Sequence, residues 1–452
     1  MTFCRYSLPK NDGAVRRTQR QIVRHELKGK VESEMSEWNF SAPRVQGQAP
    51  RQAHADIPPG LWEREMGRNA FVGPATNFYH RNPPNAWSAV DKKGPRPHVF
   101  DTRHIMHVTR SPWHAAELLK NDNIRIRYWK TMGAMDHLVR NADGDELIFM
   151  HRGQCEMFCD FGHITLVQGD YFILPRGTMW RIEAKGEIDL LLVESTNSAY
   201  RLPEASILGR HLPFDPGVLD IPELNATFRA QKRDVESEIR VKHRGKVSSL
   251  YFPFNPLDAE SWKGDLYPIR LNVKDIRPIS CQRAHVVPSG HTTFVSDGFL
   301  VCTFLPYPSP TDPAALQLPA FHDNVECDEV LFLHDGTPSS LTEGFEPGLM
   351  TFDPRGLTHG PLPQMQPYFH KPAAEMDNKF IVLMFDTHEP LALGKDARHY
   401  EIPGAQWLPA DGRKNAPDAT RNIRLSHRLA KALEIGRYLW FQLRYKLMKS
   451  VY

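Results

Sequence analysis

The sequence contains no apolar run of about 18 residues, the length that a membrane-spanning helix requires. Its opening stretch, MTFCRYSLPKNDGAVRRTQRQIVRHELKGK, is basic but holds no apolar segment of signal-peptide length. We therefore expect neither a transmembrane segment nor a secretory signal, and we take the cytoplasm as the default compartment.

Cysteine and net charge are also scarce. Only six cysteines occur, and the one close pair, Cys155 and Cys159, lacks the second pair that a structural zinc site needs. Cys155 and Cys302 lie in apolar runs, so we expect reduced thiols rather than disulfides. A formal net charge of +3 is small for 452 residues and gives no reason to expect nucleic acid as a partner.

Turn-forming residues, by contrast, are plentiful, with 37 prolines and 29 glycines. Short apolar runs alternate with Gly, Asp and Asn over residues 98–198 and again over 246–388, which predicts antiparallel β-structure in a sandwich or barrel. We divide the chain into a polar, basic extension, a first β domain, a second β domain and a basic helical tail, at residues 1–45, 46–245, 246–405 and 406–452.

The tail contains the one convincing long helical pattern, RLSHRLAKALEIGRYLWFQLRYKLMK. Two interpretations are open: a helix that binds a membrane surface or an acidic partner, or one that packs against its own protein or a neighbouring subunit. Stripes of leucine and aromatic residues at helical spacing usually belong to a core, so we favour packing.

A β-strand sequence is repeated within the chain. GDELIFMHRG at 144–153 matches CDEVLFLHDG at 327–336, so that Glu146 corresponds to Glu329 and Gly153 to Gly336. Upstream, Asn141 corresponds to Asn324. The repeat predicts two copies of one β unit.

A second pair of segments follows the first. GDYFILPRGTMW at 169–180 matches GLMTFDPRGLTH at 348–359, and both read Gly, five residues, Pro-x-Gly, two residues and a ring. The ring is Trp180 in the first copy and His359 in the second. These two paired segments resemble the two motifs of the cupin superfamily, which implies an all-β fold of two cupin-like jelly-roll sandwiches.

The resemblance implies a metal site in the second copy, whose ligands are His322, Glu329 and His359. Asn324 stands where the cupin pattern has a further histidine. Two imidazoles and one carboxylate form the facial triad of non-haem iron(II) enzymes, which leaves positions open for substrate and dioxygen. In the first copy Val139 and Trp180 replace the two histidines, so we expect it to bind no metal and to serve a structural role.

The spacing of His322 and Glu329 presents a difficulty. Their separation of seven residues would place them on opposite faces of a regular strand. We therefore predict a turn or bulge within DNVECD. A single histidine in an apolar strand is more often a core residue than a ligand, and we assign His151 and His334, which correspond in the repeat, to structure.

Further stretches resemble homogentisate 1,2-dioxygenases and their close relatives over about residues 48–405; the most specific are LTHGP and DEVLF. The resemblance implies an oligomer, a trimer or hexamer, that uses iron(II) and O2 to open the ring of homogentisate, giving maleylacetoacetate. It also places a catalytic base at His285, with His291 as the second candidate. For both histidines the alternative is a hydrogen-bonding role in a loop.

One departure bears on the substrate. Asp353 occupies a position where the family often has a histidine near the substrate. An acid there repels a carboxylate unless it is protonated or paired, for example with Arg355. We assign Asp353, Arg355 and Asn324 to substrate binding. Gentisate or another substituted hydroquinone, a different metal-cupin reaction, and binding of an aromatic acid without turnover stay open as alternatives.

Overall fold

The computed structural model describes residues 44–87, 94–204, 209–316, 320–336, 346–361 and 379–402. The chain divides into two units, Met1–Ala49 and Pro50–Tyr452. The predicted basic helix lies outside the described residues, as does nearly all of the predicted N-terminal extension.

Strands make up most of the described secondary structure. Before position 245 they are β1 Trp62–Gly67, β2 Ala75–His80, β3 His98–Asp101, β4 Ala116–Lys120, β5 Ile124–Ala134, β6 Leu138–Asn141, β7 Gly144–Arg152, β8 Gln154–Cys159, β9 Gly162–Val167, β10 Asp170–Leu174, β11 Met179–Thr196 and β12 Ser237–His243. After it they are β13 Lys246–Phe252, β14 Ile269–Asn272, β15 Thr292–Ser296, β16 Phe299–Phe304, β17 Phe321–Asn324, β18 Asp328–Asp335, β19 Leu349–Asp353, β20 Ile381–Thr387 and β21 Ala392–Leu393.

The helices of the described residues are short. Two of them are α-helical, α1 Ala226–Arg229 and α2 Ala397–Tyr400. Five are 3-10 turns, at Thr102–His104, Pro112–His114, Pro216–Val218, Val273–Asp275 and Pro288–His291. Within the described part of the chain, no helix is long and apolar enough to cross a membrane.

The strands form three sheets. The largest has twelve strands, with β13-β12-β6-β11-β5-β4-β21 as its main path and β7, β8, β9, β10 and β14 attached to it. A six-stranded sheet has the order β15-β16-β20-β18-β19-β3, and a three-stranded sheet has the order β17-β1-β2.

The sequence repeat is a repeat of strand pairing. In the first copy β7 lies between β10 and β11, and in the second copy β18 lies between β19 and β20, in each case antiparallel. The all-β fold of two cupin-like jelly rolls predicted from the sequence is thereby confirmed.

Segments far apart in sequence complete each copy. The β1–β2 hairpin pairs through β1 with β17 of the second copy, and the β12–β13 hairpin pairs through β12 with β6 of the first, both in parallel. Likewise, β3 pairs with β19 and β14 pairs with β10. The first copy thus includes β12, β13 and β14, which follow it in sequence, and the second copy includes β1, β2 and β3, which precede the first copy. The predicted domain bounds stay a prediction.

The main core joins the two copies. Val330, Phe332 and Phe385 of the six-stranded sheet belong to one buried cluster with Leu147 and Phe149 of the largest sheet. Each such side chain contributes roughly 1.5–3 kcal/mol by leaving water. Because side chains alternate along a strand, the neighbours of Val330, including Glu329, face the other way. One face of the six-stranded sheet therefore packs on the first copy, and the opposite face carries Glu329.

The two histidines assigned to structure lie within this core. The Nδ1 atoms of His151 and His334 are 3.0 Å apart, so one donates a hydrogen bond to the other across the contact between the copies. Burial lowers the pKa of His334 to about 4, which keeps the ring neutral.

Candidate metal centre and active site

The two candidate histidine ligands are held side by side by the backbone. His322 and His359 form an antiparallel bridge, with N–H to carbonyl distances of 2.9 and 3.0 Å in the two directions. Their ring centroids lie 4.2 Å apart. Gly360 allows this approach, because a Cβ at that position would lie 2.9 Å from Cα of Phe321.

Glu329 approaches the histidines from another sheet. β17 ends at Asn324 and β18 begins at Asp328, with bends at residues 325 and 326, so His322 and Glu329 belong to different sheets. The predicted break within DNVECD is confirmed, and it resolves the odd spacing. Glu329 carboxylate oxygens lie 3.5 Å from His322 Nε2 and 3.6 Å from His359 Nε2.

The three side chains fit a metal ion. One ligand atom from each of His322, Glu329 and His359 lies within 4.8 Å of the others, and no other such group occurs among the described residues. Nδ1 of His322 lies 3.0 Å from Ala320 O, and Nδ1 of His359 lies 3.1 Å from Leu357 O. A carbonyl only accepts, so each Nδ1 carries the proton and each Nε2 can present a lone pair to a metal.

Two further observations support this fit. His359 Nε2 is buried and has no hydrogen-bond partner among the described residues, an arrangement that is costly unless a ligand satisfies it. Burial lowers the pKa of His359, but attraction to Glu329 outweighs burial and raises it to about 10. Burial raises the pKa of Glu329, yet the two histidines hold it below its usual range. Binding a divalent metal would therefore release the proton from His359.

Two more carboxyl groups flank Glu329. Asp353 on β19 and Asp386 on β20 both stand directly opposite Glu329 in their strand pairs, so the three side chains share one face of the sheet. Burial raises the pKa of Asp353 to about 6. Burial and then repulsion by Glu329 raise the pKa of Asp386 well above its usual value. We call Asp353, Glu329 and Asp386 the carboxyl row.

The structure separates Asp353 from Arg355. The backbone N–H of Arg355 donates to Asp328 Oδ1 at 2.9 Å, and its guanidinium binds the same oxygen and the carbonyl of His388. One oxygen of Asp353 has no hydrogen-bond partner within the part of the chain described. Arg355 is thus not the counter-charge of Asp353, and its role in substrate binding stays a prediction.

Asn324 lies on the face of β17 that carries His322, because the two are separated by two residues. Its side chain is 2% exposed, and its Nδ2 finds no acceptor among the described residues. An amide with a free donor beside the ligands suits a substrate oxygen, and the assignment of Asn324 to substrate binding stays a prediction.

Of the two candidate bases, His285 lies close enough to His322 and to His291 for their charges to affect it. Burial, and after it the charges of His54, His291 and His322, lower the pKa of His285 to about 3. Burial lowers the pKa of His291 to about 4. Both rings are therefore neutral near pH 7. His291 is buried against Phe304 and Tyr307, at ring-centroid distances of 5.2 and 5.7 Å.

The first copy has a different arrangement at the corresponding place. Val139 and Trp180 pair across β6 and β11 just as His322 and His359 pair in the second copy. Glu146 binds Arg127, with Nη2 to Oε1 at 2.5 Å, and accepts from Asn141 at 3.0 Å. The positive charge of a buried arginine thus neutralises Glu146, as a metal ion would neutralise Glu329.

Sequence reasoning missed several residues around the ligands. Asp386 ends the apolar run KFIVLMFD and belongs to no motif, so only strand register reveals it. Glu65 of β1 pairs in register with His322. A carboxylate oxygen of Glu65 lies 2.8 Å from Nε2 of His54. No sequence signal could link residue 65 to residue 322, because their strands are 257 positions apart.

Comparisons with known proteins agree with this arrangement. Residues 85–273 match the family model described as the N-terminal part of homogentisate 1,2-dioxygenase. A protein of Saccharolobus solfataricus that is provisionally named a dioxygenase is 26% identical over 381 residues, which cover 79% of this chain and 96% of that one. Homogentisate 1,2-dioxygenase of Bradyrhizobium diazoefficiens is 26% identical over 242 residues, which cover 52% of this chain and 53% of that one.

The match therefore spans only about half the length of that homogentisate 1,2-dioxygenase. Among solved structures, a cupin 2 conserved barrel domain protein from Leptotrichia buccalis covers 66% of this chain at 11% identity, with a TM-score of 0.33. That likeness is too slight to add to the argument from sheet topology. The family match, the dioxygenase relatives and the two-copy β fold together support the resemblance of this chain to cupin proteins of the homogentisate 1,2-dioxygenase type.

Proposed function

We propose that this protein is an iron(II)-dependent dioxygenase that opens a 1,4-dihydroxylated aromatic ring. The observation that carries the proposal is the buried triad of His322, Glu329 and His359, with an unpartnered Nε2 on His359. Relatives named homogentisate 1,2-dioxygenase support homogentisate as the substrate, with maleylacetoacetate as the product. In that reaction both atoms of O2 enter the product and one ring C–C bond is broken.

The triad would hold the iron through two Nε2 atoms and one carboxylate. This ligand set favours iron(II) over manganese or zinc, since two imidazoles and one carboxylate form the facial triad that leaves adjacent positions open. When bound, iron(II) offers coordination positions to the ring oxygen and to O2 and supplies the one-electron chemistry that O2 requires.

The remaining work falls to the protein's own side chains. A ring hydroxyl must lose its proton on binding, and a neutral His285 is available to accept it on a ring nitrogen. His291, also neutral and without a hydrogen-bond partner among the described residues, is the second candidate. Asn324 has an amide donor free for a substrate oxygen. Burial of these groups excludes water, which strengthens each polar contact.

A second candidate substrate class is supported by the carboxyl row. Asp353 and Asp386 are 6% and 1% exposed and stand on either side of Glu329. An acid beside the metal repels a substrate carboxylate unless the acid is protonated or paired, so this surface supports another substituted hydroquinone, whereas gentisate, which bears a carboxylate like homogentisate, gains no support from it.

The test is oxygen uptake by anaerobically purified, iron(II)-loaded protein given homogentisate, with product absorbance followed in parallel. We expect one O2 consumed for each ring opened, and no uptake by the His359→Ala variant. Uptake with hydroquinones but not with homogentisate would keep the reaction and change the substrate. Iron-loaded protein that binds the ring but consumes no O2 with any hydroquinone would refute the proposal in favour of a binding protein.

A further inference from the structure

The outer strand of the β12–β13 hairpin is an open sheet edge. β13, Lys246–Phe252, stands at one end of the twelve-stranded sheet and pairs with β12 alone within the described residues. At seven residues it is the longest of the described edge strands. An edge strand directs every second N–H and C=O away from its neighbour, which makes it a template for pairing with another chain.

β13 lacks the features that usually prevent such pairing. Edge strands are commonly blocked by charged residues, proline, a bulge or short length. In KVSSLYF the single charge is Lys246, at the first position, and no proline occurs. The register with β12 runs from Ser237↔Phe252 to His243↔Lys246 without a shift, so no bulge turns the edge away. The edge therefore stays open to a further strand.

Apolar side chains are exposed along this edge. Val247, Leu250 and Tyr251 are 46%, 48% and 67% exposed. Leu250 stands directly opposite Ile239 of β12, which is 0% exposed and belongs to a buried cluster. Phe252 packs partly against the same cluster. The buried cluster thus continues onto an apolar surface that the described residues leave uncovered.

This exposed strand is held firmly in place. Arg244 and Gly245 at the tip of the hairpin have φ of 50° and 69°, the positive values that a type I′ turn requires. Asp143 accepts hydrogen bonds from both of their backbone N–H groups, at 2.5 and 2.8 Å. β12 also pairs in parallel with β6 of the first copy. The edge is therefore ordered before any partner binds, which lowers the entropy cost of association.

The sequence of β13 is complementary to itself. Antiparallel pairing of two β13 strands about a two-fold axis at Ser249 uses all seven positions. No like charges meet, because Lys246 at the beginning of one strand lies opposite Phe252 at the end of the other. A β-branched and an aromatic side chain, a favourable cross-strand pair, meet twice. The pairs across the axis are Lys246 with Phe252, Val247 with Tyr251, Ser248 with Leu250 and Ser249 with itself.

We propose that two molecules of this chain join edge to edge through β13, so that their largest sheets continue into each other across a two-fold axis. The pairing satisfies the outward backbone groups of both strands and covers Val247, Leu250 and Tyr251. A particle built in this way holds an even number of chains. The inference goes beyond the proposed function, since it concerns a surface of the first copy and makes no use of the metal centre.

The first test is the mass of the native, full-length protein in solution, measured by size-exclusion chromatography with light scattering and by sedimentation velocity. We expect an even number of chains in each particle. A monomer, or a particle with an odd number of chains, would overturn the proposal. A monomer in which the β13 amides exchange slowly with deuterium would assign the edge to another segment of the same chain instead.

Cross-linking tests the register. Ser249→Cys places two thiols opposite each other at the axis, where directly opposed strand residues have Cα atoms about 4.5–5.5 Å apart, within disulfide reach. Lys246→Cys is the control, because its two thiols would lie about 20 Å apart along the strands. The native chain, whose Cys281 is exposed, gives the background. After diamide oxidation, a linked dimer should form with Ser249→Cys alone, and equal linking in both variants would rule out this pairing.

Two charge variants test the same contact without a covalent bond. Val247→Glu stands opposite Lys242 in its own hairpin, and Tyr251→Lys stands opposite Glu238, so each added charge has a neighbour of opposite sign within its own chain. Across the axis each single variant sets a charge against an apolar side chain, and it does so twice. Each should therefore weaken self-association by at least about 10-fold.

The double variant Val247→Glu/Tyr251→Lys sets opposite charges against each other across the axis. It should restore the native association to within about 3-fold, because the two positions couple only through the other molecule. Val167→Glu is the control, since Val167 is an exposed valine on a different edge strand, β9. It should leave self-association unchanged.

Urea unfolding shows that each variant is folded, so a change in mass reports on the contact itself. Single variants that associate as tightly as the native protein, or a double variant that associates no better than the single ones, would refute the pairing through β13.

Discussion

His359 and His285 are both histidines of the second copy, but their surroundings assign them different tasks. His359 directs Nδ1 to a backbone carbonyl at 3.1 Å and leaves Nε2 facing Glu329. His285 is kept neutral mainly by burial. The same side chain is therefore proposed as a metal ligand in one place and as a base in the other.

Replacing each histidine by alanine should separate the two tasks. We expect His359→Ala to lose iron, because one imidazole and one carboxylate do not hold iron(II) firmly. His285→Ala should keep about one iron per chain and lose at least about 100-fold in turnover, the usual contribution of a general base. Metal analysis and oxygen uptake measure the two effects.

His243→Ala is the control, since His243 is exposed at the end of β12. It should change neither iron content nor turnover. Normal iron content with full activity in His359→Ala would remove that residue from the triad.

At the scale of secondary-structure elements, β1 links the site to a charged cluster. Nε2 of His54 lies 2.8 Å from Glu65 of β1, and Nδ1 lies 3.2 Å from Glu63 of β1. Burial lowers the pKa of His54, but hydrogen bonds with these two acids outweigh it and raise the pKa to about 9. The imidazolium thus fastens the segment before β1 to the hairpin that supports His322.

This cluster should make stability depend on pH. The folded-state pKa of about 9 lies above the ordinary value of 6.5, so the stabilisation is complete below pH 6.5 and is lost as pH rises through 9. The difference corresponds to about 3 kcal/mol. Urea unfolding of the native protein should show a falling midpoint between pH 6.5 and 9.

His54→Gln should lower the midpoint at pH 6.5 and flatten its fall toward pH 9. Native and variant proteins with parallel pH profiles would show that His54 does not titrate as described.

The turn after β18 depends on one glycine. Gly336 has φ +80°, and a Cβ there would overlap the carbonyl oxygen of Lys379. Gly133 has φ +79°, but a Cβ there would meet nothing within 4 Å. The two glycines share a backbone conformation, but only at Gly336 do neighbouring backbone atoms occupy the place that a Cβ would need.

Alanine at the two positions should therefore have unequal effects. Gly133→Ala should cost about 1–2 kcal/mol from backbone strain alone. Gly336→Ala should cost roughly 1–3 kcal/mol more, because the backbone must move to relieve the overlap. Chemical denaturation of both variants measures the difference, and equal losses would show that the turn adapts at no cost.

At the scale of the whole molecule, the two copies depend on exchanged segments. The strand that carries His322 pairs with β1, and β19 pairs with β3, although both partners precede the first copy in sequence. The main core also contains side chains of both copies. The sheets around the candidate metal centre thus combine three separate stretches of the chain: β1, β3 and the strands of the second copy.

A segment comprising residues 246–405 alone should therefore hold no iron. It lacks β1, β2 and β3, so the edges of β17 and β19 and the apolar face of the six-stranded sheet would be exposed. We expect an aggregated or unfolded product, whereas a chain ending at residue 405 but retaining its N-terminal part should bind iron. A soluble 246–405 segment with one bound iron would show that the borrowed strands are dispensable.

Local sequence was sufficient for the fold class and for naming the three candidate ligands. Strand periodicity, turn residues and motifs are patterns over short stretches of sequence. Glu329, Gly336 and His359 could be found from such patterns, because each lies a fixed number of residues from a strand or turn. The loss of metal ligands in the first copy was also readable, since Val139 and Trp180 are plain departures from the same motif. The break between His322 and Glu329 followed from strand alternation alone.

Tertiary structure decided which distant strands pair, and this lies beyond any local pattern. Asp386 joins Glu329 and Asp353 only through the register of β20 with β18, and Glu65 pairs with His322 only because β1 crosses to the second copy. Pairing of this kind depends on the burial of whole sheet faces, to which every strand contributes. The sequence by itself therefore determined the candidate ligands, while the charges that surround them were decided by how the two copies exchange strands.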